Sequence, residues 1–110
     1  MRRERLVIIG SGAAGWTAAV YAARAGLNPL VIARTQHGGQ MTIAGEGENF
    51  PGFPGGVDGP ALMADMERQA LRFGARVAHG IVEAASSGAS PFLLSCDFGE
   101  VEAEAVIVAT

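Results

Sequence analysis

Near the start of the chain, hydrophobic residues form short continuous runs typical of buried strands and one longer segment with the spacing of a helix. Residues 5–10 are almost uniformly apolar, which is typical of a parallel strand buried on both faces. Residues 13–25 are rich in alanine and predict a helix pressed closely onto a sheet, with Gly26 as its stop. Residues 29–33 predict a second parallel strand that begins at Pro29. The order strand, helix, strand predicts a βαβ unit.

The pattern breaks over residues 38–56, which carry seven glycines and two prolines and show neither a helix nor a strand period. A loop of this length in a compact domain is usually functional or disordered, and the aromatic residues Phe50 and Phe53 argue against disorder. A second helix is predicted to begin near Gly59-Pro60 and to end at Gly74. Its apolar stripe is formed by Leu62, Met66, Ala70 and Phe73.

Shorter apolar runs fill the rest of the chain. Those near 76–84, 91–97 and 100–104 predict a small antiparallel meander, with turns at Ser86-Ser87-Gly88 and at Asp97-Phe98-Gly99. Residues 105–110 predict one more parallel strand. The fold class expected is therefore α/β, a Rossmann-like parallel sheet with helices plus a small antiparallel β-meander. Residues 1–110 are expected to form one domain at most, and the end on an apolar strand suggests a fragment of a larger protein.

Composition narrows the classes of partner. The chain is 49% hydrophobic and 17% charged, with a formal net charge of -3. It has no dense basic run and no apolar stretch of about 20 residues, so neither nucleic acid nor a membrane is expected as a partner. A single cysteine, Cys96, excludes an internal disulfide and a cysteine-only metal site, and a reducing cytoplasm is the expected location.

A glycine motif lies where the first strand meets the first helix. Gly10, Gly12 and Gly15 form a G-x-G-x-x-G sequence, which brings backbone N–H groups to a pyrophosphate at the positive end of the helix. A side chain on Gly10 or Gly12 is expected to obstruct that approach. The acidic residue that usually grips the ribose at the end of the second strand is missing, and the sequence there is Ala33-Arg34-Thr35-Gln36. An arginine at position 34 can receive the 2′-phosphate of NADP, so the choice of dinucleotide stays open at this point.

More specific motifs follow the glycines in order. The chain carries Gly38-Gly39-Gln40-Met41, Glu48-Asn49-Phe50-Pro51-Gly52-Phe53-Pro54, Gly59-Pro60-Ala61-Leu62-Met63 and Val106-Ile107-Val108-Ala109-Thr110. This series resembles the N-terminal FAD-binding part of the low-molecular-weight thioredoxin reductase family, and the resemblance covers essentially the whole chain. The cofactor that it implies is FAD.

The resemblance also implies a role for individual residues. Gln36, together with Thr35, stands at the position that binds the adenosine ribose, and Val82 stands where a backbone group meets the adenine. Asn49 stands where the family hydrogen-bonds the flavin region. The cofactor-binding residues implied are Gly10, Ser11, Gly12, Ala13, Ala14, Gly15, Thr35, Gln36, Gly39, Gln40, Asn49, Val82, Ala109 and Thr110.

The family's reaction implies partners outside these residues. In a complete protein of this kind, hydride passes from NADPH through FAD to a Cys-x-x-Cys pair and on to a thioredoxin-like protein. The NADPH-binding domain with that pair and the C-terminal FAD segment are expected beyond residue 110, so no catalytic residue is expected here. A homodimer is implied for the full-length protein. His37 and His79 are isolated in sequence, and no metal site is expected.

Two other functional interpretations remain open. A ferredoxin–NADP reductase-like flavoenzyme has a similar build without the cysteine pair. A non-catalytic module that binds NADP or FAD is the second alternative. The sequence downstream and a visible absorption spectrum discriminate between the three.

Overall fold

The computed structural model describes residues 2–34, 46–47, 50–86 and 88–110. Two helices and eight strands lie within these ranges. The helices are α1 (Ala13–Arg24) and α2 (Gly59–Arg72). The strands are β1 (Arg2–Ile9), β2 (Leu30–Ala33), β3 (Glu46–Gly47), β4 (Val57–Asp58), β5 (Arg76–His79), β6 (Val82–Ala85), β7 (Phe92–Cys96) and β8 (Gly99–Val108).

Six of these strands form one mixed sheet in the order β5-β2-β1-β8-β7-β6. Strands β5, β2, β1 and β8 run parallel, whereas β7 and β6 run antiparallel to their neighbours. The short strands β3 and β4 pair with each other. The predicted βαβ unit is confirmed as β1, α1 and β2, and so is the predicted fold class.

The core lies on both sides of the sheet because side chains alternate along β1 and β2. Leu6 and Ile8 face one side, where they meet both helices, and Val7 faces the other. The buried members of the helix-side cluster are Leu6, Ile8, Trp16, Ala19, Ala22, Ala23, Val31, Leu62, Met63, Ala70 and Ala75. Those of the opposite cluster are Val7, Leu30, Ile32, Leu94, Cys96, Val101 and Ala103.

The sheet folds back on itself, as the link between β5 and β6 requires. These strands lie at opposite edges of the sheet, yet only Gly80 and Ile81 separate them. Three Cα steps span at most about 11 Å, whereas five strand spacings in a flat sheet span about 24 Å. The meander therefore curls over the side of β2 that the helices leave open. The shared cluster of Leu30, Ile32, Leu94 and Cys96 fills the space between them.

Two strand predictions were wrong. The run 76–84 is not one strand of the meander, because it divides at the buried Gly80 into β5, parallel to β2, and β6, antiparallel to β7. The runs 100–104 and 105–110 are not separate elements either. They belong to β8, which runs without a turn from Gly99 to Val108 and pairs with β7 first and with β1 along most of its length.

The second helix was predicted closely. It begins at Gly59, where the Asp58 carboxylate caps it by accepting a hydrogen bond from the Ala61 amide at 2.9 Å. It ends at Arg72, and the expected stop, Gly74, follows with φ +107°. Neither helix in the described ranges is long and apolar enough to cross a bilayer.

A charged cluster ties the amino ends of β1 and β5 together. Glu4 on β1 is half-buried, and both of its carboxylate oxygens accept hydrogen bonds from Arg76, at 2.6 and 3.2 Å. Arg2 donates to the same carboxylate at 3.0 Å. Arg76 also donates to the side chain and the carbonyl of Asn28 just before β2. The Arg76 guanidinium lowers the pKa of Glu4 despite the opposing effect of burial.

Candidate dinucleotide-binding site

The glycine turn lies at the carboxyl ends of the parallel strands, the edge where open α/β sheets bind their ligands. Gly10 follows β1 directly, and its amide donates to the Ile32 carbonyl of β2 at 3.3 Å. On the other side the Ala109 amide donates to the Ile9 carbonyl at 2.8 Å. The turn is thus joined to the ends of both strands that flank β1.

The three glycines of the motif have different surroundings. A Cβ on Gly10, whose φ is +125°, would overlap the Ala109 carbonyl oxygen. A Cβ on Gly15 would overlap the Gly10 carbonyl oxygen, so Gly15 lets α1 approach the turn closely. A Cβ on Gly12 would meet no atom of the described residues within 4 Å. Packing within the described residues therefore requires Gly10 and Gly15 to be glycine, and these residues do not fill the space beside Gly12.

The start of α1 offers hydrogen-bond donors without a competing carboxylate. The Trp16 amide donates to the Gly12 carbonyl at 3.0 Å as the first helical bond, so the amides before it have no partner within the helix. Gly12 is the N-cap and supplies no side-chain cap, and the first turn carries no acidic residue. This end of the helix attracts negative charge. Ser11 is buried beside it, whereas Ala14 is exposed.

Two of the predicted residues come from the far end of the chain. Ala109 and Thr110 follow β8, and the contact between Ala109 and Gly10 brings them against the glycine turn. Residues separated by about a hundred positions therefore meet at one place. The structure brings Gly10 through Gly15 together with Ala109 and Thr110.

Val82, the predicted adenine position, lies apart from this turn at the start of β6. It pairs with Cys96, and its half-buried side chain packs against the cluster on the side of the sheet opposite the helices. Gly80 and Ile81, which precede it, connect β5 to β6. The Gly80 amide donates to the Ala33 carbonyl at 2.8 Å, beside the exposed Arg34 at the end of β2.

Sequence reasoning treated Asp97 and Phe98 only as a turn between two strands. They do form a hairpin turn, but that turn also packs on the link between β5 and β6 through Asp97, which hydrogen-bonds to Ile81. The one signal available in the sequence was a glycine in the middle of a strand-like run, since Gly80 marks a close approach of chain segments.

The other predicted site residues lie outside the described residues. This group is Thr35, Gln36, Gly39, Gln40 and Asn49. Their roles stay predictions. Phe50, the described residue that follows Asn49, packs against the helix-side core, and its ring centroid is 6.0 Å from that of Phe53.

Other residues that could attract a functional interpretation lie in the core or at the surface. Trp16 is a core residue, and Cys96 is a buried free thiol whose pKa burial raises, with Asp97 and Glu83 acting in the same direction. His79 is exposed at the end of β5. Within the described part of the chain no three His, Cys, Asp or Glu residues group together as metal ligands.

Comparisons with known proteins agree on the type of domain. A family model described as "FAD binding domain" matches residues 5–92. The chain is 47% identical over 111 residues to NADPH-dependent thioredoxin reductase 3 of Arabidopsis thaliana, covering 97% of this chain and 21% of that protein. It is 44% identical over 110 residues to glucosaminate ammonia-lyase of Pseudomonas fluorescens, covering 100% of this chain and 34% of that protein.

A solved structure extends the agreement to the fold. Thioredoxin reductase from Giardia duodenalis superimposes with a TM-score of 0.89 at 36% identity, covering 100% of this chain and 36% of that one. The chain therefore spans between about a fifth and about a third of the length of the proteins that it matches.

Proposed function

We propose, because the chain belongs to the FAD binding domain family, that residues 1–110 are the N-terminal part of the FAD-binding domain of a thioredoxin-disulfide reductase. The observation that carries the proposal is the glycine turn, where Gly12 alone among the three motif glycines would place a Cβ clear of every described atom within 4 Å. That space lies at the start of a helix whose first amides have no partner within the helix and whose first turn has no acidic residue, which suits the pyrophosphate of FAD. The residues present fit the cofactor at this end.

Each group of site residues has its own part in this proposal. The glycine turn and Ala109-Thr110 hold the pyrophosphate through main-chain groups, so Ala13 serves although its side chain offers no hydrogen bond. Val82 lies toward the adenine. The resemblance alone supports ribose contacts from Thr35 and Gln36 and flavin-side contacts from Gly39, Gln40 and Asn49.

The contribution of this chain is binding and orientation. FAD supplies the hydride-carrying chemistry when bound. The protein's residues fix the diphosphate bridge between the two halves of the cofactor, and that fixed point sets the position of both halves. In the whole protein, we propose, reducing equivalents from NADPH reach a Cys-x-x-Cys pair in a further domain and then a thioredoxin-like protein.

The relatives differ in the reaction that their names state. One is a thioredoxin reductase, whereas glucosaminate ammonia-lyase matches this chain at similar identity. Similarity to this portion of the molecule therefore does not by itself specify the reaction. A flavoenzyme without the cysteine pair remains the alternative, and a Cys-x-x-Cys in the following sequence decides against it.

An absorption spectrum of the full-length protein tests the cofactor. We expect absorption bands at about 380 and 450 nm, as for any bound flavin. Absence of both bands after loading with FAD would favour a module that binds another nucleotide. NADPH-dependent reduction of a thioredoxin tests the reaction separately, and a flavin-loaded protein that fails this assay is a flavoenzyme with another acceptor.

We also propose a cytoplasmic location and a homodimer for the full-length protein. A single buried free cysteine fits a reducing compartment. Sedimentation equilibrium of the loaded full-length protein measures the assembly, and a monomer mass would contradict the second proposal.

A further inference from the structure

The link between β5 and β6 lies on the adenosine side of the proposed site. In a fold of this kind the pyrophosphate sits at the first turn and the ribose at the carboxyl end of the second strand. In the sheet order β1-β2-β5 the next carboxyl end is that of β5, where Gly80 and Ile81 follow. The Gly80 amide donates to the Ala33 carbonyl at 2.8 Å, so this link touches the end of β2 directly.

The hairpin turn between β7 and β8 holds the link from its other side. The Asp97 carboxylate accepts a hydrogen bond from the Ile81 amide at 2.9 Å, and the Asp97 amide donates to the Ile81 carbonyl at 3.1 Å. A Cβ on Gly80 would come within 2.5 Å of Asp97 Oδ1 and of Phe98 Cδ2. The turn therefore closes over Gly80, and the link is fixed between β2 and the hairpin.

The same place leaves apolar surface uncovered. Gly80 is buried, but Ile81 is 43% exposed and Phe98 is 42% exposed. Phe98 packs against the buried Gly80, and Ile81 follows that glycine in the chain. Exposed aromatic and aliphatic side chains at one place suit the flat apolar face of a base, whose polar edge is met by main-chain groups. Asp97 is itself exposed, and its Oδ1 accepts the hydrogen bond from the Ile81 amide.

We propose that Asp97 is a positioning residue for the adenine end of the dinucleotide site. Through its two hydrogen bonds with Ile81 it fixes the Gly80–Ile81 link beside the end of β2, and the link in turn sets where the base lies. The inference rests on the proposed function, because it takes FAD as the ligand. It concerns affinity for the adenosine half and leaves the flavin half unaffected.

Ligands that carry only one half of FAD separate an effect on the adenosine half from an effect on the flavin half. Apoprotein of the full-length chain is titrated with FAD, with ADP, which carries the adenosine, and with FMN, which carries the flavin. For Asp97→Ala we expect the dissociation constants for FAD and ADP to rise about tenfold, on the scale of one hydrogen bond to a charged group. The FMN constant stays within about twofold. Asp97→Asn retains an acceptor oxygen, so its losses stay within about threefold.

Glu100→Ala is the matched control, since Glu100 is an exposed acid on the same hairpin. We expect all three of its constants to match the wild type. Equal weakening of ADP and FMN in Asp97→Ala would show a general structural role and overturn the proposal, as would unchanged ADP affinity. Loss of FAD and ADP binding with FMN binding retained supports it.

Amide hydrogen exchange of the wild type covers the case in which Asp97→Ala does not fold. We expect ADP to slow exchange over residues 80–82, whereas FMN does not. An ADP-bound protein without that protection overturns the inference while the proposed function stands. A wild-type apoprotein that binds neither FAD nor ADP overturns the proposed function itself.

Discussion

At the scale of single residues, the first turn shows that one residue type serves two purposes. Gly10 and Gly15 are glycine because the chain's own carbonyl groups occupy the space of a side chain. Gly12 has no such neighbour in the part of the chain that the structure describes, and its φ of -85° is open to any residue. Substitutions at Gly10 and at Gly12 should therefore fail in different ways.

Gly12→Val should abolish FAD binding and leave the fold intact, because the branched side chain fills the space proposed for the pyrophosphate. Gly10→Ala should lower the free energy of unfolding by about 2 kcal/mol or more, since it adds an atomic overlap to an unfavourable φ. Thermal unfolding by circular dichroism and FAD titration of both variants measure the two effects. Stoichiometric FAD in folded Gly12→Val would contradict the assignment of the turn.

Sequence alone could name these glycines but could not distinguish them. The motif G-x-G-x-x-G is local, whereas the atom that restricts Gly10 belongs to Ala109, about a hundred residues later. For the same reason Asp97 looked like an ordinary turn residue. Its contact with Ile81 depends on how the whole sheet curls, which no local pattern encodes.

At the scale of elements, the periodic segments were the predictable ones. Helix α1 with its small residues and helix α2 with its apolar stripe were predicted to within about two residues. The run 76–84 was misassigned because β5 and β6 are both strands of four residues, and neither sequence identifies its partner strand. Partner choice in a sheet is a tertiary property.

The pairing of β1 with its neighbours gives a second prediction through Glu4. Glu4→Gln should lower the free energy of unfolding at pH 7 by about 1–2 kcal/mol, because part-buried hydrogen bonds to a charged carboxylate are replaced by fewer bonds to a neutral amide. Glu102→Gln is the control. Glu102 pairs with Arg3, which is almost fully exposed, so the expected change is within about 0.5 kcal/mol.

The same carboxylate predicts the pH dependence. Its pKa is lowered in the folded protein, so its contribution is fully present above the unfolded value of about 4.3 and is lost as the pH falls through the folded value. Urea unfolding at pH 7 and near pH 4 should show the difference between wild type and Glu4→Gln shrinking on acidification. A difference that is constant with pH would refute this account.

At the scale of the whole molecule, the second half of β8 is an open edge. Strand β7 pairs with it only as far as Ala103, and beyond that point β1 is its sole partner strand among the described residues. Ile107 is 38% exposed and Val108 is 72% exposed. An apolar strand edge of this kind favours association with other chains.

The 110-residue chain purified alone should therefore self-associate through this edge. Val108→Lys should reduce the association, because a charged residue on an edge strand opposes pairing. Leu71→Lys, at an exposed apolar residue of α2, is the matched control and should not reduce it. Sedimentation velocity over a range of concentrations measures both. Equal behaviour of the two variants would rule out the edge as the contact.

The position of β1 inside the sheet also governs when the domain can be completed during synthesis. Arg2 pairs with Val101 and Ile9 with Val108, so one flank of β1 stays without its strand until the ribosome has made residue 108. Pairings this distant in sequence form slowly because a long loop must close first. The first strand to be synthesised therefore lacks one partner until the last of the eight described strands is complete. A stalled nascent chain would present β1 without β8 on that side.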